Sequence, residues 1–157
     1  MNTDCCSAIF SATVRLLKEM GFPEAAHKEV VAIQGIFAAS NASSVTIGIN
    51  GAIVGCLVLT FSPEQTASLA SRVAQFELTA EDEEDVRDSM AELANIIAGH
   101  AASEFFALGF KIDITPPTII HGPKIRLEFP DDADTVMSTI TTAESSFDLL
   151  ASLREGH

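Results

Sequence analysis

Basic residues are scarce in this chain: 9 Lys+Arg stand against 22 Asp+Glu in 157 residues, a formal charge of −13. A phosphate backbone or an anionic membrane surface repels such a charge, so neither nucleic acid nor membrane is an expected partner. Cysteine is also sparse. The three present, with Cys5 and Cys6 adjacent, match neither a disulfide framework nor a zinc spacing, and they read as reduced thiols, small apolar filler on a helix and a strand. No apolar run approaches the ~20 residues of a membrane helix. The longest, Ala52 to Leu59, has the β-branched content of a buried strand. The opening MNTDCCSAIF lacks the basic start and long apolar stretch of a secretory signal, so the expected location is the cytoplasm. There is no low-complexity linker and no second composition regime. With 47% apolar and 20% charged residues, the chain is expected to form one globular domain over 1–157.

Along the chain, Asp4 to Met20 carries Ile9, Val14, Leu16, Leu17 and Met20 at helical spacings, with Gly21 placed as a C-cap. Lys28 to Ala38 reads as a strand. Val45, Ile47 and Ile49 alternate, and Asn50-Gly51 is a two-residue hairpin signal before Ala52 to Phe61, which together predict a three-stranded meander. Ser62-Pro63-Glu64-Gln65 combines an N-cap, a first-turn proline and a capping-box glutamine, so a second helix runs from here to about Ala74. One long helix is predicted from Thr79 to about Gly109, its first turns filled with acids that the positive end of the helix dipole favours. Strands follow at Lys111–Thr115, Thr118–His121, Ile125–Phe129, Thr135–Thr142 and Phe147–Leu153. Without regular strand–helix alternation, this order predicts an α+β fold: an antiparallel-rich sheet with long helices on one face. Each half places a helix before a run of strands, which hints at a duplication.

On the long helix, with ~100° of rotation per residue and Asp88 at zero, Glu92 falls near ~40°, Asn95 near ~−20° and Gly99 near ~20°. Val86, Leu93, Ala94, Ile97 and Ala101 gather on the opposite side, an ordinary core arc. Two acids, an amide and a residue without a side chain therefore share one outward stripe. Gly99 leaves room for another chain to come close. Spacing alone does not separate a partner-facing stripe from an ordinary solvated face.

The string Asp88-Ser-Met-Ala-Glu92-Leu-Ala-Asn95-Ile-Ile-Ala-Gly99-His-Ala, followed by Pro117-Thr-Ile-Ile-His121-Gly122, resembles the signature of the CheC, CheX and FliY phosphatases of bacterial chemotaxis. The Glu-x-x-Asn, the small-residue tail and the downstream proline are most similar to the CheX branch, as is the opening Ala8 to Met20. The doubled Pro116-Pro117 and the generic C-terminal strands depart from the pattern. The resemblance implies a CheC-like sheet with two long helices packed on it and pseudo-duplicated halves. It also implies a homodimer joined through sheet edges, and hydrolysis of the aspartyl phosphate of a CheY-type receiver domain. The first helix shows Ser11, Arg15 and Lys18 with no Glu-x-x-Asn, so one site per protomer is expected, without a cofactor of its own. Mg2+ is expected in the partner receiver.

An acyl phosphate is already activated, and the receiver's metal offsets charge on the phosphoryl oxygens, so the missing component is an aimed water. A carboxamide oxygen can accept a hydrogen bond from that water while its NH₂ donates elsewhere, which fits Asn95. By the resemblance Glu92 pairs with the receiver lysine, and general base is the rival role. Asp88, Gly99 and Pro117 are supporting residues. A non-catalytic adaptor that binds a response regulator is the alternative function. Other candidates are weaker: His100 and Glu104 have an i, i+4 spacing but lack a third metal ligand, His121 reads as a strand-end residue, and no Gly-x-Ser-x-Gly elbow or phosphate-cradling loop occurs.

Overall fold

The computed structural model describes residues 3–39, 41, 43–122 and 124–156, with the backbone alone for Thr3 and Asp4. Met1, Asn2, Ser40, Ala42, Pro123 and His157, included in the expected domain, lie outside the described residues. Among the described residues three helices form: α1 (Thr3–Glu19), α2 (Pro63–Ala74) and α3 (Glu83–Ala107). The strands are β1 (Ala26–His27), β2 (Val31–Ala32), β3 (Ile36–Ala38), β4 (Ser43–Gly51), β5 (Ile53–Phe61), β6 (Ile112–Ile114), β7 (Thr118–His121), β8 (Arg126–Glu128), β9 (Asp134–Thr141) and β10 (Ser146–Glu155).

Eight of these strands make one sheet in the order β1-β9-β10-β5-β4-β6, with β2 also on β9 and β7 also on β4; β3 and β8 pair separately. All pairings are antiparallel. Register explains the core. Val45 faces Leu59 and Ile47 faces Leu57 across β4–β5, and Leu59 and Leu57 face Leu149 and Ala151 across β5–β10. All six are buried, because a period of two puts them on one side of the pleat. The helices cover that side: α1 lies on β9 and β10, α3 on β4, β5 and β6, and α2 chiefly against α3. On the other face, Val58 and Leu150, directly opposite each other, are also buried.

The centre of the sheet is two hairpins, β4–β5 and β9–β10, joined through β5 and β10. The expected duplication thus has a topological form, with one feature added. α1 precedes β4–β5 but packs on β9–β10, and α3 precedes β9–β10 but packs on β4–β5.

The local signals for α2 operate as expected. Ser62 is the N-cap, its hydroxyl accepts from the Gln65 N–H at 3.4 Å, and Pro63 takes the first helical position, where a missing N–H costs nothing. The long helix starts later than Thr79. The Asp82 carboxylate accepts from the Thr79 N–H at 2.8 Å and from its hydroxyl at 3.3 Å, which ties 79–82 into a turn ahead of Glu83.

Two strand expectations are corrected. Lys28 to Ala38 is not one strand and joins no meander with β4 and β5: β1 and β2 pair with β9, and β3 pairs with β8. Gly35, with φ +73°, separates β2 from β3 in a conformation that favours glycine. Nor is Asn50-Gly51 a two-residue turn. The β4–β5 ladder ends at Ile49–Gly55, while Asn50 and Gly51 continue β4 and pair with Asp113 and Ile112 of β6. The chain turns one residue later, where the Ala52 N–H donates to the Lys111 carbonyl at 3.0 Å. The β6 edge outcompetes the isolated turn by supplying ladder partners.

Candidate functional site on the outer face of α3

α3 divides as the helical wheel requires. Val86, Met90, Leu93, Ala94, Ile97, Ala101 and Phe105 are buried; Asp88 and Glu92 are exposed, and Asn95 and Gly99 are half-buried. The apolar side chains on this arc contribute about 1.5–3 kcal/mol each where they are large, enough to fix the helix's rotation and leave the stripe no choice of direction. Glu92 and Asn95 stand about 4.5 Å apart along the axis. The side chains of Asp88, Glu92 and Asn95 make no hydrogen bond or ion pair to any described residue. Their polar atoms are therefore free for a ligand or a partner protein. At Gly99 an added Cβ would meet nothing within 4 Å, so the fold itself does not demand glycine there.

Glu92 and Asp88 border a shallow depression of about 260 Å³ between α2 and α3, completed by Val73 of α2, by Phe76 just beyond that helix, and by Asp85 and Ser89. Asn95 lies on the side of the stripe turned away from it. Phe76 is a feature the sequence reading passed over. It follows the expected helix end, and only its exposure of 58% shows that it is not core. Charge at this end of α3 is almost wholly negative. Arg87 is the lone cation among residues 81–92, and it approaches Glu83 at 3.9 Å, an ion-pair distance too long for a hydrogen bond.

Pro117 is half-buried in the segment between β6 and β7. There the register on β4 slips by one, from Ile49↔Ile114 to Thr46↔Thr118. Two residues without N–H groups are accommodated in a bulge on an outer strand, where no ladder bond is lost. Thr115 anchors its start, accepting through its hydroxyl from the Gly48 N–H at 2.8 Å and donating its own N–H to the Gly48 carbonyl at 3.0 Å. β7 touches α3, but no hydrogen bond joins Pro117 to Glu92 or Asn95 among the described residues.

The remaining candidates go elsewhere. Glu104 accepts from Arg15 of α1 at 2.8 Å and is not turned to His100. Among the described residues no three metal-ligating side chains gather. His121 ends β7, its Nδ1 3.5 Å from the Ser43 hydroxyl. Cys6 has no exposed surface; burial, then the nearby Asp134, pushes its thiol up to about 11, and burial raises Cys56 as well. Neither is a reactive thiolate at neutral pH. No described helix is long and apolar enough to cross a membrane.

The family described as chemotaxis phosphatase CheX matches residues 43–141 of the chain. A curated relative, the CheY-P phosphatase CheX of Thermotoga maritima, is 32% identical over 111 residues, 70% of each chain. Among solved structures, a CheC-like superfamily protein from Shewanella sp. PV-4 superposes with a TM-score of 0.80 at 19% identity, covering 98% of this chain and 99% of that one. A CheX–CheY–BeF3–Mg+2 complex from Borrelia burgdorferi gives 0.72 at 22% identity, covering 98% and 100%. With Glu92 and Asn95 outward on its longest helix, an antiparallel sheet beneath, and matches over most of its length, the chain belongs to the CheX family of chemotaxis phosphatases.

Proposed function

We propose that this chain hydrolyses the aspartyl phosphate of a CheY-type receiver domain, with Asn95 aiming the attacking water and Glu92 docking the receiver lysine. The observation that carries the reading is the pair Glu92 and Asn95, one turn apart on a rigid helix with no partner of their own, in a family whose curated relative is a CheY-P phosphatase. The Asn95 amide oxygen accepts a hydrogen bond from water and turns the water oxygen's lone pair toward phosphorus. A P–O bond to water forms as the P–O bond to the aspartyl oxygen breaks, giving inorganic phosphate and a carboxylate. Amide aim needs no change of charge, and its rigid placement lowers the entropy cost of alignment. The Glu92 carboxylate and a receiver ammonium form an ion pair that strengthens as the closing interface excludes water. Asp88 keeps the rim anionic, and Gly99 lets the partner backbone come near. Mg2+ belongs to the receiver, where it offsets phosphoryl charge; the chain acts in the cytoplasm with no cofactor of its own.

The same reading includes a homodimer joined through sheet edges. Both outer edges support it: Ile119 on β7 is 39% exposed and Val31 on β2 is 38% exposed. Sedimentation of the purified chain tests this, and a strict monomer at micromolar concentration would remove it.

The deciding experiment is single-turnover decay of a phosphorylated receiver domain with the parent and with Asn95→Ala. The variant is expected to bind a beryllofluoride-charged receiver as the parent does while losing about a hundredfold or more of the acceleration, as for loss of one positioned transition-state group. Equal decay rates with both proteins would sink the mechanism. Binding by the parent without any acceleration would establish the adaptor instead.

A further inference from the structure

The depression beside Glu92 has a composition that a single docking lysine does not explain. Its other wall is apolar, Val73 of α2 and Phe76 just beyond that helix, with Phe76 58% exposed. Its α3 wall carries three carboxylates, Asp85, Asp88 and Glu92. Of the nearby cations, Arg72 lies over the Phe22 ring, 5.6 Å from its centroid, and Arg87 lies 3.9 Å from Glu83, its buried Nη1 making no hydrogen bond. Ser89 lines the same space. It is only 7% exposed, yet its hydroxyl makes no hydrogen bond to any described residue. Ser71 and Ser103, also on helices, bond back to the carbonyls of Ala67 and Gly99 at 2.7 and 3.2 Å. An unpartnered hydroxyl on an almost buried residue thus lines an acidic, aromatic-walled hollow.

An apolar wall, a π face, a carboxylate rim and a spare hydroxyl acceptor together fit a long aliphatic stem with a cationic head, the side chain of lysine or arginine. An anion would be repelled, and an apolar group would leave the carboxylates and Ser89 desolvated without compensation. Asp85 precedes Glu92 by two turns on the same side, about 10 Å along the axis, so one cationic head cannot serve both.

We propose that the hollow formed by Phe76, Asp85 and Ser89 takes a second basic side chain of the receiver domain, distinct from the lysine held by Glu92, and so discriminates among receivers. This rests on the phosphatase reading above. The second anchor acts on affinity, since it lies away from Asn95 and touches no reacting atom.

The test uses the full chain and the receiver domain of the source cell whose phosphate it removes fastest. Single-turnover decay is followed against enzyme concentration at low and high salt. Phe76→Ala and Asp85→Asn are each expected to raise the half-saturating concentration by about five- to tenfold at low salt with the saturating rate within about twofold of the parent. Phe76→Leu, which keeps apolar bulk without the π face, falls between. Among single Lys→Gln or Arg→Gln receiver variants, one should lose affinity for the parent and be insensitive to Asp85→Asn, which identifies the occupant. If both Phe76→Ala and Asp85→Asn saturate as the parent does, the second anchor is overturned while the phosphatase reading stands. If the parent accelerates decay of no receiver, that reading falls and the anchor with it.

Discussion

Glu92 and Leu93 are adjacent in the chain, about 100° apart around α3, and straddle the boundary of its core face: Leu93 has no exposed surface and Glu92 faces solvent. The two therefore separate stability from recognition. Leu93→Ala should cost about 2–5 kcal/mol of folding free energy, read from the urea midpoint. Glu92→Gln should leave stability within about 0.5 kcal/mol and weaken receiver binding with a flatter salt dependence. A Glu92→Gln protein that unfolds early would show that the carboxylate supports the fold.

Gly99 offers a second separation. Its site has open space for a methyl group, so Gly99→Ala should stabilise α3 by about 0.5–1 kcal/mol through helix propensity alone. Gly99→Leu should also fold, but it should lower receiver affinity by filling the gap a partner backbone needs. Undiminished binding by the leucine variant would mean that the partner does not approach there.

Gly55 behaves in the opposite way. Its φ of +154° and the Ser152 carbonyl oxygen lying where a Cβ would stand leave no room at the β5–β10 pair. Gly55→Ala should cost about 3 kcal/mol or more, or prevent folding outright. A variant melting with the parent would show the central register to be wrong.

Alkaline pH should weaken the fold through Cys6. Its thiol is held at about 11 against an ordinary 9.0, so between those values the folded state binds more protons than the unfolded one. The contribution is fully present below pH 9 and is lost as pH rises through about 11. Urea midpoints taken across that range should fall more steeply for the parent than for Cys6→Ala. Parallel curves would exclude the thiol as the cause.

Local chemistry was the most legible part of the sequence. Ser62, Pro63 and Gln65 mark the start of α2 because capping is satisfied within four residues, and the 3.6-residue period of α3 defines both its core arc and its stripe. Long-range competition was hidden. The Asn50-Gly51 pair carries the residues of a tight turn, but β6, more than sixty positions later, offers ladder partners that extend β4 through both. Residues 28–38 show alternation without showing which strand pairs with them. At the site, Glu92 and Asn95 were readable from period and resemblance, whereas Phe76 was not: a single aromatic after a helix reads as core until the packing of α2 on α3 leaves it in water.

Each long helix roofs the hairpin that belongs to the other half of the chain. Severing the polypeptide after Phe61 would therefore yield two pieces that are each unfinished inside, each keeping one helix without the hairpin it covers and one hairpin without its covering helix.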